Sequence, residues 1–173
     1  MNATELLSNS ELLAQNLPGL VANLLLKRGW MLSTAESCTG GMIAAACTDL
    51  AGSSQWFERG FVTYSNDAKT ELLGVDAGLI RREGAVSEAV VRGMAQGALA
   101  RSRAQIAVAV TGIAGPGGGS AAKPVGTVWL AWATPQELRS EVKHFAGDRA
   151  AVREATVQHA LRVLVAMLQT TDP

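Results

Sequence analysis

Two residues in this chain have the type and setting to break an acyl bond, Ser37 and Lys69. Ser37 sits in TAESCTGG, residues 34–41, between an apolar stretch at 29–32 and an alanine-rich stretch at 42–46. A serine there lies where a strand gives way to a helix. Free backbone N–H groups and the helix dipole converge at such a place and can hold a developing oxyanion. Ser37 is therefore a candidate nucleophile, with the amides of Cys38, Thr39 and Gly40 as candidate oxyanion donors. The alternative is a plain helix cap, Ser37 or Thr39 accepting from helix amides while the glycines serve packing.

A nucleophilic serine needs a base. The chain has two histidines, His144 in a strand-like stretch with no nearby acid and His159 in the middle of an apolar helical pattern, where it reads as a packed or surface residue; residue order alone leaves a Ser-His-Asp triad open, but nothing else supports one. Lys69 is the other option. It falls in the first turn of the helix opened by YSNDAK, where the dipole disfavours a cation, and burial would act in the same direction. Both effects lower its pKa towards what a general base needs. Tyr64, the only tyrosine, stands five residues upstream and is placed to relay a proton or orient the pair. Against this stands a solvated surface lysine with Asp67 and Glu71 beside it. Cys38 competes as nucleophile, since a helix start lowers a thiol pKa; a small buried side chain is its other reading.

Two later segments supply candidate binding groups. TGIAGPGGGSAAKPVGT fits neither the P-loop pattern nor GxGxxG. Glycines after a central strand can still present N–H groups to an anion, and ligands of open α/β sheets bind beyond strand ends. Thr111 and Gly112 are thus candidate pocket residues, unless the segment is an ordinary surface loop. In GDRAAVR, Asp148 reads as a helix cap and Arg149 as an anion clamp.

The elements that must position these residues follow from hydrophobic spacing. Leucines and valine recur three and four apart over 11–28, which predicts a helix with Pro18 as a first turn or a break. Strands are expected at 30–35, 57–64, 105–111 and 125–134. Helices are expected at 38–50, at 66–73 capped by Ser65 or Asn66, at 86–101 capped by Ser87, and at 150–168 begun by Gly147 and Asp148. Almost wholly apolar QIAVAVT reads as a central buried strand. Intermingled helices and apolar strands predict an α/β class and a three-layer α/β/α sandwich.

Composition excludes several functions. The chain of 173 residues is expected to form one domain over 1–173; with 48% hydrophobic and 17% charged residues it has a folded protein's profile. Lys and Arg number 15 and Asp and Glu 15, so a broad grip on nucleic acid is not expected, while a local anion pocket is. Cys38 and Cys47 form no CxxC pair or Cys/His cluster, which argues against a metal site. The opening MNATELLSNSELL lacks the basic and apolar parts of a signal peptide, and no apolar run approaches the roughly 20 residues that span a bilayer. A soluble protein of the reducing cytoplasm, with no membrane partner, is expected.

TAESCTGG, GSSQWFERGFVTYSNDAK, GAVSE, TGIAGPGGGSAAKPVGTVW and GDRAAVR, in this order, resemble the CinA C-terminal domain family over about residues 7–168. The likeness is to its stand-alone members, the nicotinamide-nucleotide amidases of PncC type. The resemblance implies hydrolysis of the carboxamide of nicotinamide mononucleotide to the acid and ammonia, by a Ser-Lys mechanism without metal or cofactor. It assigns the serine to Ser37, the tyrosine to Tyr64, the lysine to Lys69, the threonine to Thr111 and the arginine to Arg149. Larger relatives carry an additional domain like molybdopterin-binding proteins, for which this chain is too short. The apolar terminal helices and the tryptophans suit a homodimer. A module that binds a nucleotide or regulates competence or damage responses without turnover is the alternative; such a module would not require Ser37, Tyr64 and Lys69 together.

Overall fold

The computed structural model describes residues 16–170. Six helices and five strands follow one another as α1 (Leu17–Arg28), β1 (Leu32–Glu36), α2 (Met42–Thr48), β2 (Phe57–Val62), α3 (Asn66–Leu73), α4 (Ala77–Glu83), α5 (Glu88–Ala100), β3 (Ile106–Gly112), β4 (Thr127–Ala133), β5 (Leu138–His144) and α6 (Arg149–Thr170). The strands form one mixed sheet in the order β2-β1-β3-β4-β5. The first three strands are parallel, and β4 and β5 are added antiparallel. Helices cover both faces, giving the expected three-layer arrangement.

The layering follows from strand alternation. Ile106, Val108 and Val110 of β3, with Val128, Leu130 and Trp132 of β4, send large side chains to the face held by α1, α2 and α6. The intervening Ala107, Ala109, Ala131 and Ala133 face the other way, where α5 lies directly on the sheet through Val90, Val91, Met94 and Ala98. Small residues on that face let the helix come close. Gly97 permits a further close approach, since a Cβ there would overlap the carbonyl of Leu73 at the end of α3. On the bulky face, the buried Trp132 donates from Nε1 to the Ala160 carbonyl at 3.1 Å, which ties β4 to α6.

Element boundaries depart from expectation in informative places. The helix expected over 38–50 begins only at Met42, because Gly40 (φ +61) and Gly41 (φ +100) hold a left-handed turn ahead of it. Asn16 caps α1, with Pro18 in its first turn, so the proline opens this helix rather than breaking it. The part of that expected helix over 11–15 lies outside the described residues. Asp76 caps the short α4, which the sequence pattern did not reveal. Ser65 caps α3, accepting from the Ala68 amide at 3.0 Å. Ser87 precedes α5 but donates to the Gly84 carbonyl at 2.8 Å instead of capping it. Among the described residues no helix is long and apolar enough to cross a membrane.

Candidate active site

The site lies beyond the carboxyl ends of β1, β2 and β3, where an open α/β sheet leaves a crevice. β1 lies between β2 and β3; the chain passes from β1 to β2 along one face through α2 and from β2 to β3 along the other through α3, α4 and α5. Alternation at the end of β1 sends Glu36 and Ser37 to opposite faces. Glu36 turns towards α2 and Ser37 towards α3.

Ser37 and Lys69 meet. Lys69 Nζ lies 3.0 Å from Ser37 Oγ, 2.8 Å from the Thr63 carbonyl and 3.3 Å from the Tyr64 carbonyl. The ammonium position is almost wholly enclosed, Lys69 being 1% exposed, and no carboxylate lies within ion-pair distance of it among the described residues. Burial holds its pKa below the ordinary lysine value of 10.5, while the neighbouring Cys38 pulls weakly upward. A lysine so placed is the enclosed one, not the solvated one. Cys38 itself is buried, and desolvation pushes its thiol up to about 11, the opposite of a reactive thiolate.

Glu36 is a participant that sequence spacing did not single out. It is fully buried and accepts from Thr39 Oγ1 at 2.6 Å and from the amides of Gly41, Ile43 and Ala44 at 3.1, 3.0 and 2.8 Å. The start of α2 is thus saturated by a carboxylate from inside the protein, so its dipole is not at the disposal of a substrate. Gly40, expected among the oxyanion donors, gives its N–H to the Ser37 carbonyl at 3.1 Å, and Met42 gives its own to Thr39 O at 3.3 Å. Among the turn amides, those of Cys38 and Thr39 are engaged by no carbonyl or carboxylate in this pattern. The legible signal was a lone acid closing an otherwise uncharged, fully buried strand, LSTAE.

Tyr64 stands elsewhere than a relay would. The residue is 61% exposed and its hydroxyl accepts from Arg149 NH2 at 3.0 Å, while its carbonyl accepts from Lys69. Arg149 also donates to the Gly115 carbonyl at 2.9 Å. Thr111 is buried and donates from Oγ1 to the Ala85 carbonyl at 2.9 Å. Ser37, Cys38, Tyr64, Lys69, Thr111 and Gly112 line one cavity of about 220 Å³, together with Arg149. A second of about 650 Å³ adjoins it, with Ala114 and Arg149 in both walls and Arg153 in its own lining. Asp148 is the cap of α6, its Oδ1 accepting from the Ala151 amide at 2.9 Å. No group of three or more His, Cys, Asp or Glu able to hold a metal occurs among the described residues.

The model of the CinA C-terminal domain matches residues 14–168. The chain belongs to that family. Within the CinA family it is 52% identical over 165 residues to the nicotinamide-nucleotide amidohydrolase PncC of Escherichia coli K12, covering 95% of both chains. It is 59% identical over 130 residues to the protein of the same name from Pseudomonas putida, covering 75% of this chain and 81% of that one. Among solved CinA structures, the competence damage-inducible protein A of Klebsiella pneumoniae superposes with a TM-score of 0.88 at 42% identity, over 92% of this chain and 99% of that one. The sheet order and the layering described above are therefore those of the CinA fold.

Proposed function

We infer that this protein is an amidohydrolase that removes the carboxamide nitrogen of nicotinamide mononucleotide as ammonia, leaving nicotinate mononucleotide. Relatives that share more than half their residues with it over most of its length bear that activity in their names. The observation that carries the mechanism is the 3.0 Å contact between Lys69 Nζ and Ser37 Oγ inside a carboxylate-free enclosure.

A neutral amine there has two N–H groups for the Thr63 and Tyr64 carbonyls and one lone pair for the Ser37 hydroxyl. Ser37 Oγ attacks the carboxamide carbon as its proton passes to Lys69 Nζ. The carbonyl oxygen takes up the negative charge and is held by the Cys38 and Thr39 amides. Lys69 then returns the proton to the departing nitrogen, the C–N bond breaks and ammonia leaves. Water, deprotonated by the same amine, opens the ester to release the acid and restore Ser37. Thr111, whose hydroxyl proton is committed to Ala85 O, can offer only lone pairs to a substrate, which suits the NH₂ of a carboxamide. The small cavity takes the pyridine ring, and the phosphate lies towards Arg149 in the larger one.

The reading carries a cytoplasmic setting, in keeping with the two free cysteines, and a homodimer, for which sedimentation is the direct measurement. Ammonia release from nicotinamide mononucleotide by wild type, Ser37→Ala and Lys69→Ala tests the chemistry. Wild type alone should be active. An inactive wild type, or a Ser37→Ala variant at full rate, removes the proposal.

A further inference from the structure

Arg153 lies four residues after Arg149 on α6, so the two guanidinium groups leave the same helix face about 6 Å apart along the axis. Both line the larger cavity. Neither has a carboxylate within ion-pair distance among the described residues, in a protein whose formal charge is zero. The acid of that cavity, Asp148, is engaged in capping the helix. Arg153 donates through NH2 to the Thr39 carbonyl at 2.9 Å, and its buried Nε has no hydrogen-bond partner. The Thr39 bond orients the fork, because a guanidinium is planar and fixing one N–H fixes the rest. Two oriented cations without counter-ions, in a concavity joined to the Ser37 cavity, form a receptor for a doubly charged phosphate.

We propose that Arg153 is a specificity-determining residue, the second arm of a phosphate site whose first arm is Arg149, and that it makes the protein select a nucleotide over the corresponding nucleoside. This rests on the amidase reading for the identity of the ligand, and it names which residue recognises the ligand's phosphate. Arg153 touches no reacting atom. Its effect falls on binding and grows with the ligand's phosphate charge. Anchored through Thr39 O, the guanidinium is held before the ligand arrives, so little side-chain freedom is lost on binding.

The test separates binding from turnover by using Ser37→Ala as background. Dissociation constants of nicotinamide mononucleotide and nicotinamide riboside are measured by calorimetry for Ser37→Ala and for Ser37→Ala with Arg153→Met. The background should prefer the nucleotide, and Arg153→Met should reduce that preference by about tenfold to a hundredfold, the usual worth of charge-assisted hydrogen bonds. A preference that falls by less than tenfold overturns the proposal, whether because both ligands weaken equally or because neither changes. Absence of nucleotide preference in the background overturns it as well. Arg153→Lys keeps the stem and the charge but loses the fork; it should move the preference in the same direction and serves if the methionine variant does not fold. Ammonia release by wild type is scored separately, so loss of the amidase reading and loss of the phosphate arm give different results.

Discussion

The enclosure of Lys69 makes one titration readable twice, in rate and in stability. If neutral Lys69 is the base, kcat/KM rises with pH through the folded pKa of this residue, which burial places below 10.5. A lysine whose folded pKa lies below its unfolded one leaves the unfolded chain holding more protons between the two values. Stability therefore climbs with pH across that window and is level below it. Each pH unit inside the window is worth about 1.4 kcal/mol for one such group. The thiols act with opposite sign: burial pushes Cys38 up to about 11 and Cys47 up to about 12 from 9.0, so both erode stability as pH rises above 9.0. The comparison is therefore made up to pH 9.0, as the difference in unfolding free energy between wild type and Lys69→Met, from denaturant titrations at each pH. That difference should be flat below the kinetic pKa and, where the kinetic pKa falls below 9.0, rise above it by about 1.4 kcal/mol for every pH unit up to 9.0. A base limb at the ordinary lysine value refutes the reasoning. So does a difference that stays flat while the rate climbs, because the group that controls the rate would then not be Lys69.

Three further outcomes are expected. Glu36→Gln keeps the shape but sets an NH₂ group where an acceptor stood among three amides and a hydroxyl; it should destabilise by about 1–3 kcal/mol in urea unfolding, and lower kcat more than it raises KM. Tyr64→Phe removes a hydroxyl that holds Arg149 and does not reach Lys69, so KM should rise by about fivefold with kcat little changed; a kcat loss of about a hundredfold would instead mark a proton relay. Gly97→Ala places a methyl against the Leu73 carbonyl and should cost about 1–3 kcal/mol, read as a lowered Tm, with the kinetics of the surviving protein unaltered.

How much of this was legible in the sequence differs from residue to residue. The strand QIAVAVT announced a buried central strand, and its alternation of valine and alanine even encodes which helix comes close. The dyad was legible only as two residue types in suggestive places. Their contact across 32 positions depends on β1 and β2 pairing side by side, so that α3 is delivered beside Ser37, and no local pattern states this. The glycines at 40 and 41 resemble the start of a helix because small residues run on into it; the positive φ angles that delay the helix accompany Glu36 reaching across to the Gly41 amide, which no local pattern states. Nearness along the chain pairs Tyr64 with Lys69, whereas its hydroxyl answers to Arg149, 85 residues away. Arg153 was hidden for the same reason: half of the anion cavity arrives with the last helix.

That last helix has a consequence for how the protein comes into being. The 22 residues of α6 bring both arginines and the cover for Val128, Leu130 and Trp132. A chain growing from its N-terminus has made Ser37 and Lys69 long before it possesses Arg149 or Arg153. Until α6 is made, the larger cavity lacks both arginines, and that face of the sheet has only α1 and α2 to cover it. A chain that stops ahead of residue 149 would lack both cavity arginines and leave Val128, Leu130 and Trp132 without the helix that packs on them.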